Sequence, residues 1–234
     1  MNDDRQIKLY ATAPHPCSYF DDREAQTLFV DPACAVGSPL YTRLSQAGFR
    51  RSGSHYYRPN CDGCNACIAS RVPVADFSLS RNQRRQIARN KDLDYYWRES
   101  LDAEAYPLYE RYINERHRDG DMYPASREQF DSFIADSRQD TTYLHIYHQR
   151  QLLAVSVCDQ MGDGLSAIYT FYAPEAQRRS LGKLAVLHMI ETCRQRQLPY
   201  LYLGYWIRDC QKMRYKIDYR PLELLMSQRW VRLN

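Results

Sequence analysis

Residues 141–173, TTYLHIYHQRQLLAVSVCDQMGDGLSAIYTFYA, decide the fold. Three extended runs, TTYLHIYH, QLLAVSVCD and GLSAIYTFYA, are rich in β-branched and aromatic residues and are separated by the short turns HQRQ and MGDG. That pattern predicts an antiparallel meander closed by Pro174. Toward the C-terminus, Leu181 to Arg196 has the apolar spacing of an amphipathic helix and is followed by Pro199 and the strand YLYLGYW. A short basic helix, CQKMRYK, and an apolar tail, PLELLMSQRWVRL, complete the chain. Toward the N-terminus, Ser126 and Gln129 form a capping box ahead of Phe130, Phe133 and Ile134. Before it, Glu104 to Arg118 places Leu108, Tyr109, Tyr112 and Ile113 on one helical face, and DLDYYWRES reads as a strand.

Two helices, three antiparallel strands, a helix, a further strand and a last helix form the element order of acetyltransferase-like folds. The expected class is therefore α+β: an acetyltransferase-like (GNAT) mixed sheet with flanking helices over residues 71–234. A small cysteine-containing N-terminal domain over residues 1–70 is expected to precede it. In such folds the fourth strand and the helix that follows it splay from their neighbour and make an acyl-donor cleft. The crossing there carries Gln/Arg-x-x-Gly-x-Gly/Ala, whose backbone N–H groups grip a pyrophosphate. This chain has Gln177-Arg178-Arg179-Ser180-Leu181-Gly182, so a serine replaces the first glycine and two arginines are added.

Residues 1–70 are irregular, with a strand at Thr27 to Val30 and a helix at Ser38 to Ala47 ended by Gly48. Cys61, Cys64 and Cys67 form an overlapping Cys-x-x-Cys-x-x-Cys, a spacing that lets thiolates share one metal or cluster. Cys17 is the fourth-ligand candidate and Cys34 its rival, while Cys158, Cys193 and Cys210 read as inert thiols. After a strand at RVPVADF, Ser80 and Gln83 form a capping box. The helix it starts aligns Arg81, Arg85 and Arg89 at i, i+4 spacing beside Arg84 and Lys91, with no acidic residue from Ser80 to Lys91. That face suits a polyanion.

The net charge of +4 is unevenly spread: residues 1–91 carry 13 basic and 8 acidic groups, 92–140 carry 6 and 13, and 174–234 carry 12 and 5. Two basic segments flanking an acidic one would hold an anionic partner between them if the fold brings them together. The polar start MNDDRQIKLY argues against a secretory signal, so the eight cysteines are expected to be reduced, in a cytoplasmic protein. No run approaches the ~20 apolar residues of a membrane span.

Taken together, HPCSYF, YRPNCDGCNAC, SRNQRRQIARN, YTFY, RRSLG, PYLYLGYWI and KMRYK resemble the bacterial aspartate/glutamate leucyltransferases, relatives of the eukaryotic arginyl-tRNA-protein transferases. The resemblance runs over almost the whole chain. It implies transfer of leucine from leucyl-tRNA to proteins with N-terminal Asp or Glu, marking them for degradation, with neither DNA nor a membrane as partner. An α-amino group has a reference pKa of about 8, so part of it is neutral near pH 7 and positioning outweighs a strong base. No cofactor is required for the chemistry. Relatives of the eukaryotic type use cysteines for an iron–sulfur cluster, and here Phe20 stands where a second N-terminal cysteine would be. Cys17, Cys61, Cys64 and Cys67 are thus candidates for zinc, an iron–sulfur cluster, or no metal.

Asp159, beside Ser166 and Tyr169, is the candidate to orient or deprotonate the incoming amine. Arg178, Arg179, Ser180, Lys212 and Lys216, with Arg81, Arg84, Arg85 and Arg89, are the candidates for tRNA contacts. Tyr172, Tyr205 and Trp206 would line the aminoacyl or adenosine pocket. Arg71 or Arg58 would read the substrate carboxylate. The competing readings are arginyl transfer by the same mechanism, an acetyl-CoA-dependent N-acetyltransferase, and a non-catalytic RNA-binding module.

Overall fold

The computed structural model describes residues 6–136, 138 and 140–234. Short strands dominate the N-terminal region: β1 (Leu9–Ala11), β2 (His15–Pro16), β3 (Glu24–Ala25) and β4 (Thr27–Val30). Helix α1 (Ser38–Gln46) and the hairpin strands β5 (Arg50–Ser52) and β6 (His55–Pro59) follow. Four of these strands form a sheet in the order β1-β4-β6-β5, and β2 pairs with β3. Where the sequence reads as irregular, the region is therefore a small sheet whose strands are too short to show a period. Helix α1 ends as expected at Gly48, which takes φ +86° while Phe49 N–H donates back to Leu44.

Strand β7 (Ile68–Pro73) then enters the second, larger sheet, and α2 (Arg81–Arg89) starts on the expected capping box. Gln83 N–H donates to Ser80 Oγ at 3.2 Å, and Ser80 N–H donates to Gln83 Oε1 at 2.8 Å. Next come β8 (Leu93–Arg98), α3 (Ala105–Arg116) and α4 (Arg127–Phe130). At α4 only half of the second capping box forms: Gln129 N–H donates to Ser126 Oγ, but the Gln129 side chain accepts from the Tyr109 hydroxyl. The meander follows as β9 (Thr141–His148), β10 (Gln151–Met161) and β11 (Gly164–Tyr172), and then α5 (Leu181–Gln195) and β12 (Tyr200–Trp206). Helix α6 (Gln211–Arg214) runs into a 3-10 turn, Tyr215–Asp218, ahead of β13 (Leu222–Met226) and β14 (Arg229–Leu233). The apolar tail is thus a hairpin, turned at Ser227 and Gln228, both left-handed at φ 47° and 62°.

The larger sheet has the order β14-β13-β7-β12-β11-β10-β9-β8, antiparallel everywhere except between β11 and β12. It is an α+β arrangement, a mixed eight-stranded sheet with flanking helices and a smaller N-terminal sheet beside it. Strand β10 is buried almost throughout because α1, α3 and α5 all pack on it, so its sequence is apolar from Leu152 to Cys158 except at Ser156, and it buries Asp159 as well. Leu181, Leu184, Ala185, Met189 and Cys193 form the buried stripe of α5. No described helix is long and apolar enough to cross a membrane.

Candidate active site at the split between two parallel strands

Strands β11 and β12 pair at Gly164↔Tyr200, Leu165↔Leu201 and Ser166↔Tyr202, and their pairing ends there. On its other side β12 slips register against β7 at Gly204, which has φ +79°. A side chain at that position would meet the Arg50 guanidinium at 3.1–3.2 Å, so the glycine makes room for an arginine. Arg50, delivered by β5, is 9% exposed. It donates from Nη1 to Ser166 Oγ at 2.9 Å and from Nη2 to the Ala167 carbonyl at 2.5 Å. Its guanidinium therefore lies where the two parallel strands separate.

The turn Tyr215–Asp218 brings a second buried cation to this point. Lys216 is 4% exposed and donates from Nζ to the Tyr205 carbonyl at 2.6 Å and to Met213 Sδ at 3.4 Å. Burial, reinforced by the neighbouring Arg50 charge, pushes this ammonium down to about 7. Tyrosines enclose the split. Arg50 interacts electrostatically with Tyr41, Tyr57, Tyr205 and Tyr215, and Tyr112 packs against Tyr172 at 4.8 Å and Tyr169 at 6.5 Å. Two donors here are buried without a partner among the described residues: Trp206 Nε1 and the Tyr219 hydroxyl.

Basic residues gather on the far side of the same turn. Its Asp218 accepts at the backbone from Gln83 Nε2 (3.0 Å) and at the side chain from Lys183 Nζ (3.2 Å), tying α2 and α5 together. Gln86 and Asn90 also donate to the carbonyls of Ser180 and Arg179, where α5 begins. Between the two helices lies a cleft of ≈ 450 Å³ lined by Arg85, Arg89, Lys91, Arg178, Arg179 and Lys183, with Asp92 as its one carboxylate. Arg179 is held bidentately by Asp92 at 2.9 and 3.0 Å. Among the described residues no carboxylate reaches within 4.0 Å of Arg85, Arg89, Lys91 or Arg178. Ser180 stands in the left-handed region at φ 55°, the conformation that the replaced glycine would adopt without strain.

The fold thus brings together Arg85, Arg89, Arg178, Arg179 and Ser180 as the sequence led one to expect. Arg81 and Arg84 lie on the same helix outside the cleft lining, Arg84 bonding the Leu79 carbonyl. Lys212 pairs instead with Asp119 at 2.6 Å on an exposed surface, and Lys216 is turned inward, so neither lines the cleft.

Asp159 requires the largest correction. It is 0% exposed and accepts from Arg51 Nε (2.7 Å) and Nη2 (2.9 Å), from Thr141 Oγ1 (2.7 Å) and from the Tyr41 hydroxyl (2.9 Å). Both oxygens are spent in a sealed ion pair, which leaves none for an amine. Ser166 is likewise buried and accepts from Arg50, while Tyr169 packs on Phe133 and Tyr112 at the split. Tyr205 gives its hydroxyl to the carbonyls of Gly48 and Tyr57 and is 5% exposed, so its ring is not a stacking platform. Tyr172, at the end of β11, packs on Tyr112, and Trp206, at the end of β12, has its Nε1 buried without a partner among the described residues.

Arg71 cannot read a substrate carboxylate, because Glu223 already occupies it at 2.7 Å and the rings of Tyr200 and Trp230 sandwich it at 3.6 and 4.2 Å. Arg58 lies over Phe49 at 5.1 Å. Of the cysteines, Cys67 is the centre. Burial, with Cys17, Cys61, Cys64 and Cys210 adding like charge, pushes its thiol up to about 12. A hydrogen bond from the Ala66 backbone and the Arg23 guanidinium lower Cys64. Among the described residues no three His, Cys, Asp or Glu stand grouped as metal ligands. Arg50 and Arg51 escape a local reading of the sequence. The available signal was two adjacent arginines in a stretch, 32–61, that contains no acidic residue to neutralise them.

Both family models for arginine-tRNA-protein transferases match in order, the N terminus over residues 15–85 and the C terminus over residues 104–226. Aspartate/glutamate leucyltransferases of Hahella chejuensis and Teredinibacter turnerae are 50% and 52% identical, the first covering 99% of both chains and the second 98% of this chain and 95% of its own. That of Pseudomonas aeruginosa is 50% identical over 100% of both. Among solved structures, L-PGS from Bacillus licheniformis aligns with a TM-score of 0.44 and 10% identity over 72% of this chain and 49% of its own. The resemblance first read from scattered motifs therefore extends from end to end, and the chain belongs to the arginine-tRNA-protein transferase family, among the aspartate/glutamate leucyltransferases.

Proposed function

We propose that this enzyme takes leucine from leucyl-tRNA and joins it to the α-amino group of proteins beginning with Asp or Glu, in the cytoplasm and with no part played by DNA or a membrane. One observation carries the reading. The Tyr215–Asp218 turn connects a cleft whose Arg85, Arg89 and Arg178 have no carboxylate partner among the described residues to a split holding the buried Arg50 and Lys216. A tRNA end whose phosphates lie in the first would present its aminoacyl ester to the second. The ending of β11–β12 pairing at Ser166, with a helix starting beside it, supports a GNAT-like arrangement of residues 71–234 served by a cysteine-containing domain over 1–70.

Within that frame, the amine nitrogen attacks the ester carbonyl carbon, a C–N bond forms and the C–O bond to the terminal ribose breaks. Lys216, neutral above about pH 7, accepts the amine proton at Nζ and returns it to the departing ribose oxygen. Trp206 Nε1 is a buried donor free to meet the oxyanion of the tetrahedral intermediate, and Tyr172 and Tyr112 wall the leucyl side chain. Zinc or an iron–sulfur cluster at Cys17, Cys61, Cys64 and Cys67 would serve the N-terminal domain as a brace. Thiolates are soft donors that suit either group, and Cys67 interacts electrostatically with the other three, but among the described residues no three stand grouped as ligands, so they would have to draw together to hold it.

The test incubates the protein with leucyl-tRNA or arginyl-tRNA, each carrying a labelled amino acid, and reporters that begin with Asp, Glu, Asn or Ala. Label on the Asp and Glu reporters from the leucyl donor alone is the expected result. Transfer from the arginyl donor would replace leucine by arginine. Binding of tRNA without product would leave an RNA-binding module, and acetylation of the reporters from acetyl-CoA would make the protein an N-acetyltransferase.

A further inference from the structure

Arg50 and Arg51 are neighbours on β5, both buried, and they differ in one respect. Arg51 has its counter-ion in Asp159. Among the described residues Arg50 has no carboxylate, only the Ser166 hydroxyl and the Ala167 carbonyl. Those bonds use two of the five N–H donors of a guanidinium and, among the described residues, leave three for a ligand. Lys216 is buried close enough for Arg50 to depress its protonation, and it too has no acidic partner, only a carbonyl and a thioether. A buried cation without an anion is costly, and the guanidinium, unlike the Lys216 amine, cannot escape that cost by shedding its proton near neutral pH.

Structure around Arg50 fixes it for a ligand. Gly204 vacates the space its guanidinium fills, and Ser166 and Ala167 hold its orientation at the open end of the β11–β12 split. From these observations we infer that Arg50 is the specificity residue of the transfer and receives the side-chain carboxylate of the acceptor's first residue, an Asp or Glu, as a charge-assisted pair. This rests on the aminoacyl-transfer reading above. An amide has half the acceptor capacity and no charge, so Asn and Gln would leave the buried guanidinium uncompensated. The same placement sets the α-amine beside Lys216, so recognition and proton transfer share one pocket.

The experiment compares wild type, Arg50→Gln and Arg50→Lys with reporters that differ only in Asp versus Asn, or Glu versus Gln, at the first position, using saturating leucyl-tRNA. A charge-assisted bidentate contact predicts that Arg50→Gln lowers the Asp-over-Asn ratio of kcat/KM by roughly 10- to 100-fold while tRNA affinity is retained. Arg50→Lys keeps the charge but loses the fork, so its loss falls on the KM of acidic reporters more than on kcat, and it carries the test if Arg50→Gln does not fold. An unchanged Asp-over-Asn ratio in Arg50→Gln, or an unchanged KM in Arg50→Lys, overturns the assignment. Wild type that transfers leucine to none of the reporters refutes instead the function on which the inference rests.

Discussion

Removing the Asp159 carboxylate is expected to unfold the protein before it slows any chemistry. Arg51 and Asp159 have side-chain exposures of 1% and 0%, and the carboxylate receives two bonds from Arg51 together with those of Thr141 and Tyr41. In Asp159→Ala the guanidinium stays buried with its charge uncompensated, which costs about 3–5 kcal/mol. Against a total stability on the order of 5–15 kcal/mol, that is about a fifth or more of what holds the chain folded. With a urea m value near ~3 kcal/mol/M, the unfolding midpoint should drop by about 1–1.7 M. The double variant Arg51→Met, Asp159→Leu removes both charges and fills the space, so it should unfold at a higher urea concentration than Asp159→Ala. The assay is urea unfolding followed by tyrosine and tryptophan fluorescence, alongside turnover per folded molecule. A midpoint unchanged in Asp159→Ala, with turnover lost, would return this carboxylate to the reaction and refute the argument.

Lys216 gives a pH signature. Its folded value, about 7, lies below its ordinary 10.5, so between these the unfolded chain binds a proton that the folded one does not, and stability rises with pH across that window. Transfer should likewise rise with pH through about 7, and Lys216→Met should lose that inflection while keeping the one near ~8 that belongs to the substrate amine. Charge removal in the basic cleft, as in Arg85→Gln or Arg89→Gln, should weaken tRNA binding and reduce the slope of log K against log salt by about 0.7–0.9 per lost phosphate contact, read by filter binding at several ionic strengths. Gly164→Ala should be poorly folded, because a Cβ there would lie 2.2 Å from the Tyr200 carbonyl oxygen; a melting temperature equal to wild type would contradict the close approach. Ser80→Ala should cost about 1 kcal/mol by unmaking the α2 cap, measured by thermal unfolding.

What a linear reading recovered is what short-range chemistry dictates. The meander at 141–172, the α5 stripe and the Ser80–Gln83 cap all depend on residues within a few positions of one another. Of the N-terminal strands only Thr27–Val30 is legible, because the others have two to five residues and no clear period, and the closing hairpin is hidden because Ser227 and Gln228 make a turn that usually advertises itself with glycine. Site residues failed for the same reason at longer range. Asp159 looked like an available carboxylate because the arginine that consumes it lies 108 positions away, and Arg71 looked free because Glu223 is 152 positions away. The basic cleft was legible since charge patterning showed two cationic segments with no local neutralisation, although only the fold made them neighbours.

Strand β7 has a consequence for biosynthesis. It lies between β12 and β13, whose residues begin 127 and 149 positions after its own last residue, Pro73. At a ribosomal pace of roughly 5–20 residues per second, β7 emerges many seconds before either flanking strand exists. Through that interval its backbone amides and carbonyls face the cell unpaired, in a segment that is nearly all buried at the end. The nascent chain is therefore most exposed to chaperones, and to mispairing with other nascent chains, while residues 74–199, more than half of the message, are being decoded.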